Sequence, residues 1–255
     1  MPYLLQRDHA ATWEHARQRV LINGTPNAGK TTSLGTFDPP VHVVSVPGEH
    51  GTSAIPEGTV AHVFAPVDPN AQRNWTQDWL DTVNRCVEIA QGKHGPCTTL
   101  AVDGLHKLYA VALNTVTRGA AASAEGDFEA KKYGNAWNLF KYGFLDKVLH
   151  LPVQTVVMTC WVELEKDDPD DRSKEAARSL LPSLPGQAAT KIMGEFAVVL
   201  YAVREGTGSA ARYLWYTQPQ GKVKACGVKA PLTIASKVPA RVAQDWQGLK
   251  GALGL

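Results

Sequence analysis

The sequence predicts an α/β domain with a mostly parallel central sheet flanked by helices and an antiparallel extension at its C-terminal end. Three observations predict it. Short β-branched runs alternate with helix-period segments between Arg19 and Thr159. A Gly-x-x-x-x-Gly-Lys-Thr run follows the first apolar run and can open a helix. Beyond Phe196 the apolar runs are short and separated by Gly206-Thr207-Gly208-Ser209 and Gln218-Pro219-Gln220-Gly221, the pattern of antiparallel strands.

The elements follow in order. Residues 1–18 read as a helical lead-in to the first strand, Arg19–Asn23. Val41–Val46, bounded by Pro39-Pro40 and Pro47-Gly48, and Val60–Ala65 are the second and third strands. Trp75, Trp79, Val83, Val87 and Ala90 recur at spacings of three and four, so 74–91 is an amphipathic helix. Thr98–Val102 is a fourth strand and 104–118 a helix. Gly119–Asp127 is small and flexible, Asp127 is placed to cap a helix running to about His150, and Val153–Thr159 is a fifth strand. Phe196–Arg204, Arg212–Thr217 and Lys222–Cys226 form the extension, and 240–250 a last helix within the tail 227–255. The 163–186 segment is too long for a plain connector and implies function or disorder.

Composition narrows the class. At 255 residues the chain is one large domain or two small ones, since domains run to about 150 residues. With 44% hydrophobic and 20% charged residues, global disorder is excluded. No stretch approaches the roughly 18 apolar residues of a membrane span, and the N-terminus has no secretory core. Cys86, Cys97, Cys160 and Cys226 form no CxxC pair and have no histidine at zinc-ligand spacing, so reduced, buried thiols in a cytoplasmic protein are expected. The net charge of +2 implies that any polyanion site is local.

The phosphate-binding signal is Gly24-Thr25-Pro26-Asn27-Ala28-Gly29-Lys30-Thr31, with Thr32 behind it. Glycines let successive N–H groups turn inward around a phosphate at a helix start. Lys30 is placed to reach the β- and γ-phosphates of ATP, and the Thr31 hydroxyl to ligate Mg²⁺. A Mg²⁺–nucleotide site needs a carboxylate at a neighbouring strand end, which Asp103 supplies after Thr98–Val102. Hydrolysis needs a base. Gly104 follows Asp103 where many such ATPases carry Glu, so the expected base is Glu49, just past the second strand, with His50 orienting the loop.

In the order of Gly24–Thr31, Glu49-His50 and Leu100–Asp103 the chain resembles the RecA recombinases, and more narrowly the core-only RecA-like P-loop ATPases of bacteriophages, the phage nucleotide-binding and single-strand-annealing proteins. Leu184–Lys191 resembles their small-residue element before a strand. The likeness covers about Arg19–Lys229 and implies one RecA-like core over 1–255, without the separate polymerisation module of the cellular recombinases. It implies a phage-encoded, DNA-stimulated ATPase acting on single-stranded DNA in recombination, annealing or replication inside a bacterial host. It further implies ATP bound between subunits of a homo-oligomeric ring or filament, a phage single-strand-binding protein as a further partner, and loops 119–127 and 163–186 facing DNA. Departures from the family stand beside these. The sensor position after the fifth strand reads Thr159-Cys160-Trp161 rather than Gln or His, and Lys222-Val223-Lys224 lacks the family's Arg.

Charge is segregated. The stretch from Glu163 to Asp171 is acidic and disfavours phosphates, whereas Arg172, Lys174, Arg178 and Lys191 favour them. Residues 222–250 carry an excess of five positive charges. Lys191, Lys222, Lys224 and Lys229 are the expected contacts to DNA or to a neighbour's ATP. Phe128, Tyr133, Trp137, Phe140, Tyr142 and Phe144 crowd one helix and read mostly as core, with Tyr133 the most open to base stacking. The alternative function is a nucleotide-dependent switch or loader on protein partners with weak hydrolysis, which the altered sensor favours. A small-molecule kinase ranks last, because 163–186 has only Arg172 and Arg178 for a lid.

Overall fold

Among the described residues ten strands form one sheet in the order β10-β8-β7-β1-β5-β4-β2-β3, with β6 paired to β5 and β9 to β7. The computed structural model describes residues 17–49, 51–65, 74–119, 125–164, 180–185 and 187–255. Strand β1 (Gln18–Gly24) is central, parallel to β5 (Thr155–Leu164) on one side and to β7 (Val198–Glu205) on the other. Strand β4 (Thr99–Asp103) is parallel to β5 and to β2 (Val41–Ser45), and β2 is parallel to the short edge strand β3 (His62–Phe64). β1, β2 and β4 are almost wholly buried, as expected of parallel strands covered on both faces.

Helices cover both faces. On one, α2 (Trp75–Ala90), α3 (Leu105–Gly119), α4 (Glu125–Phe140) and α5 (Asp146–Leu149) pack Trp79, Ile89, Leu108, Tyr109, Phe140 and Phe144 against Leu21, Leu100 and Met158 of the sheet. Asn74 caps α2 by accepting from the Gln77 N–H at 3.2 Å. The other face holds α1 (Lys30–Ser33), α7 (Leu232–Ala235) and the last helix, α8 (Trp246–Leu253), which seals it with Trp246 and Leu249 beside Phe37 and Trp215.

Several sequence expectations are corrected. Helix α4 starts at Glu125, so Asp127 lies inside it rather than capping it, and the helix widens into a π-turn over Lys141–Leu145 before α5. β7 joins the parallel sheet beside β1, so the antiparallel extension begins only with β8 (Arg212–Tyr216). The expected strand at Lys222–Cys226 is replaced by β9 (Gly227–Val228), because the Val223 backbone is taken up in a tight turn, exchanging hydrogen bonds with Gln220, while its side chain and that of Cys226 pack with Val162 and Tyr201. Residues expected as one helix from 240 split into β10 (Arg241–Ala243) and α8, with Asp245 capping the helix. Most of 163–186 lies outside the described residues, but its ends form a hairpin: Glu163 pairs with Leu181 of β6 (Leu180–Pro182). Residues 1–16, His50, 120–124 and Gly186 also lie outside them.

Candidate nucleotide site

The carboxyl ends of four adjacent parallel strands build the site. Across that edge β1 carries the glycine-rich loop, β5 carries Thr159, β4 ends on Asp103, and β2 leads through a turn to Glu49. Residues from Gly24 to Thr159 meet here because parallel strands connected on the same side present their carboxyl ends together.

The loop turns through left-handed backbone at Asn27 (φ 61°) and Gly29 (φ 84°) and enters α1. Lys30 is buried, and its Nζ donates to the carbonyls of Gly24 at 3.0 Å and Thr25 at 2.7 Å. The ammonium is thus folded over the loop, within reach of any phosphate the loop encloses. Burial lowers its pKa to about 8, against the opposing charge of Asp103.

The Thr31 hydroxyl donates to Asp103, 3.2 Å from Oδ1 and 3.0 Å from Oδ2. Asp103 is 1% exposed, and burial pushes its carboxyl above the ordinary range although Thr159 and Thr31 both donate to it. A hydroxyl and a carboxylate meeting at the loop are hard oxygen donors. They suit Mg²⁺, which takes few protein ligands and keeps several waters. Thr159 Oγ1 makes a short hydrogen bond to Asp103 Oδ1 and accepts from the Gly104 N–H at 3.0 Å. Of the three expected sensor residues, Thr159 is therefore committed to holding Asp103. Cys160 is buried in the core with its thiol pushed to about 12, and Trp161 is half-buried against His106.

Glu49 lies against Gly104, whose φ is 103°. Its carboxyl is raised by burial and then by the Asp103 charge, with Lys107 and Lys30 opposing. Among the described residues Glu49 Oε2 is buried without a hydrogen-bond partner. A carboxyl of raised pKa at the phosphate edge of the sheet has the character of a general base.

Three further residues border the site that the sequence reading does not single out. His106, in the first turn of α3, places Nε2 3.6 Å from Glu49 Oε2 and stacks on Trp161 with ring centres 4.5 Å apart. Gln244, after β10, donates to the carbonyls of Ala28 at 2.7 Å and Leu214 at 3.1 Å, bracing the loop from outside. Tyr213 closes on Gly29 from the same side, 2.8 Å from where a Cβ there would stand. His106 stands only three residues after Asp103, a spacing that could have drawn attention to it, whereas Gln244 reaches the loop across more than two hundred residues.

The expected DNA or neighbour contacts separate. Lys191, Lys222 and Lys224 are exposed. Lys229 instead donates to the carbonyls of Gly194 at 2.6 Å and Met193 at 3.3 Å, closing the end of α6 (Ala188–Gly194). Phe140 and Phe144 are core, Trp137 is partly buried against it, and Tyr133 is exposed with Lys132 Nζ 5.2 Å from its ring centre. Tyr142, at 62%, is more open than Tyr133, because the π-turn rotates it out of the packed face.

Comparison with known proteins adds the following. Residues 16–225 match the family described as an AAA domain. No curated protein matches the chain. Among solved structures, a prototypical ATPase from the type III secretion system of pathogenic bacteria is 16% identical, with a TM-score of 0.46 over 75% of this chain, which spans 54% of that one. A KaiC-like protein from Pyrococcus horikoshii OT3 is 13% identical, with a TM-score of 0.39 over 78% of both chains. The assembled ATPase EscN from the type III secretion system of enteropathogenic E. coli is 16% identical, with a TM-score of 0.41 over 73% of this chain and 43% of that one.

Proposed function

We propose that this chain, which belongs to the AAA domain family, hydrolyses ATP with Glu49 as general base and does so as a subunit acting on single-stranded DNA. The observation that carries the chemistry is the convergence of Lys30, Thr31, Asp103 and Glu49 on one sheet edge. The backbone of Gly24–Thr32 encloses the phosphates. Lys30 exchanges its two carbonyl partners for phosphate oxygens. Thr31 and Asp103 would hold Mg²⁺, which when bound supplies neutralisation of phosphate charge. Glu49 takes a proton from water as the water oxygen bonds to the γ-phosphorus and the bond to the ADP oxygen breaks. Thr159 keeps Asp103 in place throughout.

Support for the nucleic-acid side is surface chemistry. Exposed Tyr133 beside Lys132 offers a stacking ring and a cation, and exposed Lys191, Lys222 and Lys224 offer charge for phosphates of DNA or of a neighbour's ATP. No helix among the described residues is long and apolar enough to cross a membrane.

A second reading has its own observation. Thr159 is committed to Asp103, and Cys160 is buried, so two of three sensor positions have no free polar group for a γ-phosphate. That favours a switch or loader that binds ATP, turns over slowly and acts on protein partners. One titration separates the two: phosphate release with and without single-stranded DNA at low salt, with particle size followed in parallel. The first reading expects a DNA-dependent rise in rate and a ring- or filament-sized particle. Tight ATP binding with slow, DNA-indifferent turnover selects the second. Glu49→Gln tests the base directly: it should bind ATP and lose turnover.

A further inference from the structure

We propose that His106 is a positioning residue for the ATPase reaction: its imidazole, held by Trp161, donates an Nε2–H to the Glu49 carboxylate and keeps it aimed at the attacking water. The inference rests on the reading of Glu49 as the base. It starts from two polar groups the fold leaves unmet. The His106 side chain is 7% exposed and that of Glu49 10%. Among the described residues, neither ring nitrogen of His106 has a hydrogen-bond partner, and nor does Glu49 Oε2. Burying such groups unmet is costly, so the pair is poised to gain a partner.

The two groups face each other. Nε2 and Oε2 are 3.6 Å apart, some tenths of an ångström beyond hydrogen-bond length. A small movement of the turn carrying Glu49 closes that gap and satisfies both. Stacking on Trp161, with centres 4.5 Å apart and planes 22° from parallel, favours this orientation of the ring. Trp161 in turn has the Lys107 Nζ 5.1 Å from its ring centre. Burial, and then the charges of Lys107 and Lys30, lower the pKa of His106 to about 3, so the ring is neutral and carries one N–H. With that proton on Nε2 it donates to the carboxylate, and Nδ1 remains an acceptor. During hydrolysis the water proton goes to the free Glu49 oxygen, and the His106 N–H bond stays intact.

A phenylalanine would fill the same space and stack on Trp161 equally well, but it could not donate. A glutamine carries a donor at nearly the same reach as Nε2. Wild type, His106→Phe, His106→Gln and Glu49→Gln are compared by ATP dissociation constant, KM and kcat. Misaiming a catalytic group costs about 100-fold in rate, so His106→Phe should bind ATP as wild type does, with KM unchanged, and lose ten- to a hundredfold in kcat. His106→Gln should recover to within about threefold of wild type, since the donor is restored. A His106→Phe enzyme within twofold of wild-type kcat overturns the proposal, as does a His106→Gln enzyme no better than His106→Phe. If His106→Phe loses its thermal transition, His106→Leu takes its place in the comparison. Turnover retained in Glu49→Gln rejects the base assignment itself. Turnover lost in Glu49→Gln but kept in His106→Phe rejects only the positioning role.

Discussion

Glu49 occupies the space that a side chain at position 104 would need: a Cβ on Gly104 would stand 2.9 Å from Glu49 Oε2 and 3.2 Å from its Cγ. The strand that ends in Asp103 is therefore followed by a residue with no side chain, and the second carboxylate arrives from β2. Any side chain directly after Asp103 would press on the one at 49, which would have to shift to admit it.

Gly104→Ala should separate binding from turnover. The new methyl meets the carboxylate and sits at φ 103°, which L-residues rarely adopt. The strain costs about 1–3 kcal/mol of stability. Displacing Glu49 should cut kcat by about 100-fold, while ATP affinity, which the proposed function assigns to the loop and Lys30, should change little. Equilibrium binding and single-turnover hydrolysis on the same preparation check both; unchanged kcat would remove Glu49 from the reaction.

On the proposed function, Lys30 should give ATP affinity a pH dependence of definite sign. Burial lowers its pKa to about 8, and phosphate oxygens favour the ammonium form. Binding therefore raises the pKa and takes up a proton above pH 8. Affinity should be level below that point and weaken by up to about tenfold per pH unit above it. Titration calorimetry in two buffers of different ionisation enthalpy reads the uptake. Lys30→Ala should abolish binding, and retained affinity would refute the phosphate-loop assignment.

Thr159→Val should destabilise the fold and weaken Mg²⁺-dependent nucleotide binding together. The substitution removes a donor from buried Asp103 and an acceptor from the Gly104 N–H. Leaving such groups unmet costs about 1–3 kcal/mol. Denaturant midpoints and ATP affinity at varied Mg²⁺ measure the two effects. A shift in stability alone would make Thr159 purely structural.

Asp38 ties the last helix to the exit of the phosphate-loop helix. It accepts from Trp246 Nε1 at 3.1 Å, Gln247 Nε2 at 3.0 Å and Lys250 Nζ at 3.1 Å. Burial works to raise its pKa, but the Gln247, Lys250 and Trp246 donors outweigh it and hold the carboxyl below the ordinary range. A depressed folded pKa means stability that is present above the unfolded value and is lost as pH falls through the folded one. Asp38→Asn should lower stability at neutral pH and flatten the acid limb of a pH–stability curve. Trp246→Ala, which empties a fully buried site against Phe37, should cost about 3–5 kcal/mol in a chemical melt.

What the sequence alone determined is the local chemistry: a glycine-rich loop after an apolar strand, Asp103 at a strand end, Glu49 past another, and the alternation that makes a parallel sheet. These are legible because each rests on short-range spacing, and a parallel sheet brings successive strand ends to one edge. What only the tertiary structure decided is partnership across distance. The run Phe196–Arg204, which its sequence groups with the antiparallel strands after it, forms β7 and pairs in parallel with β1, because strand neighbours are chosen by packing on both faces rather than by order in the chain. Residues after 240 split into a strand and a helix, since β10 adds to the sheet edge while Trp246 fills a pocket beside Phe37. Thr159 became a clamp on Asp103 rather than a free sensor, and His106 came to face Glu49. No spacing encodes those contacts: they follow from the register of β5 beside β4 and from the direction in which α3 leaves Asp103.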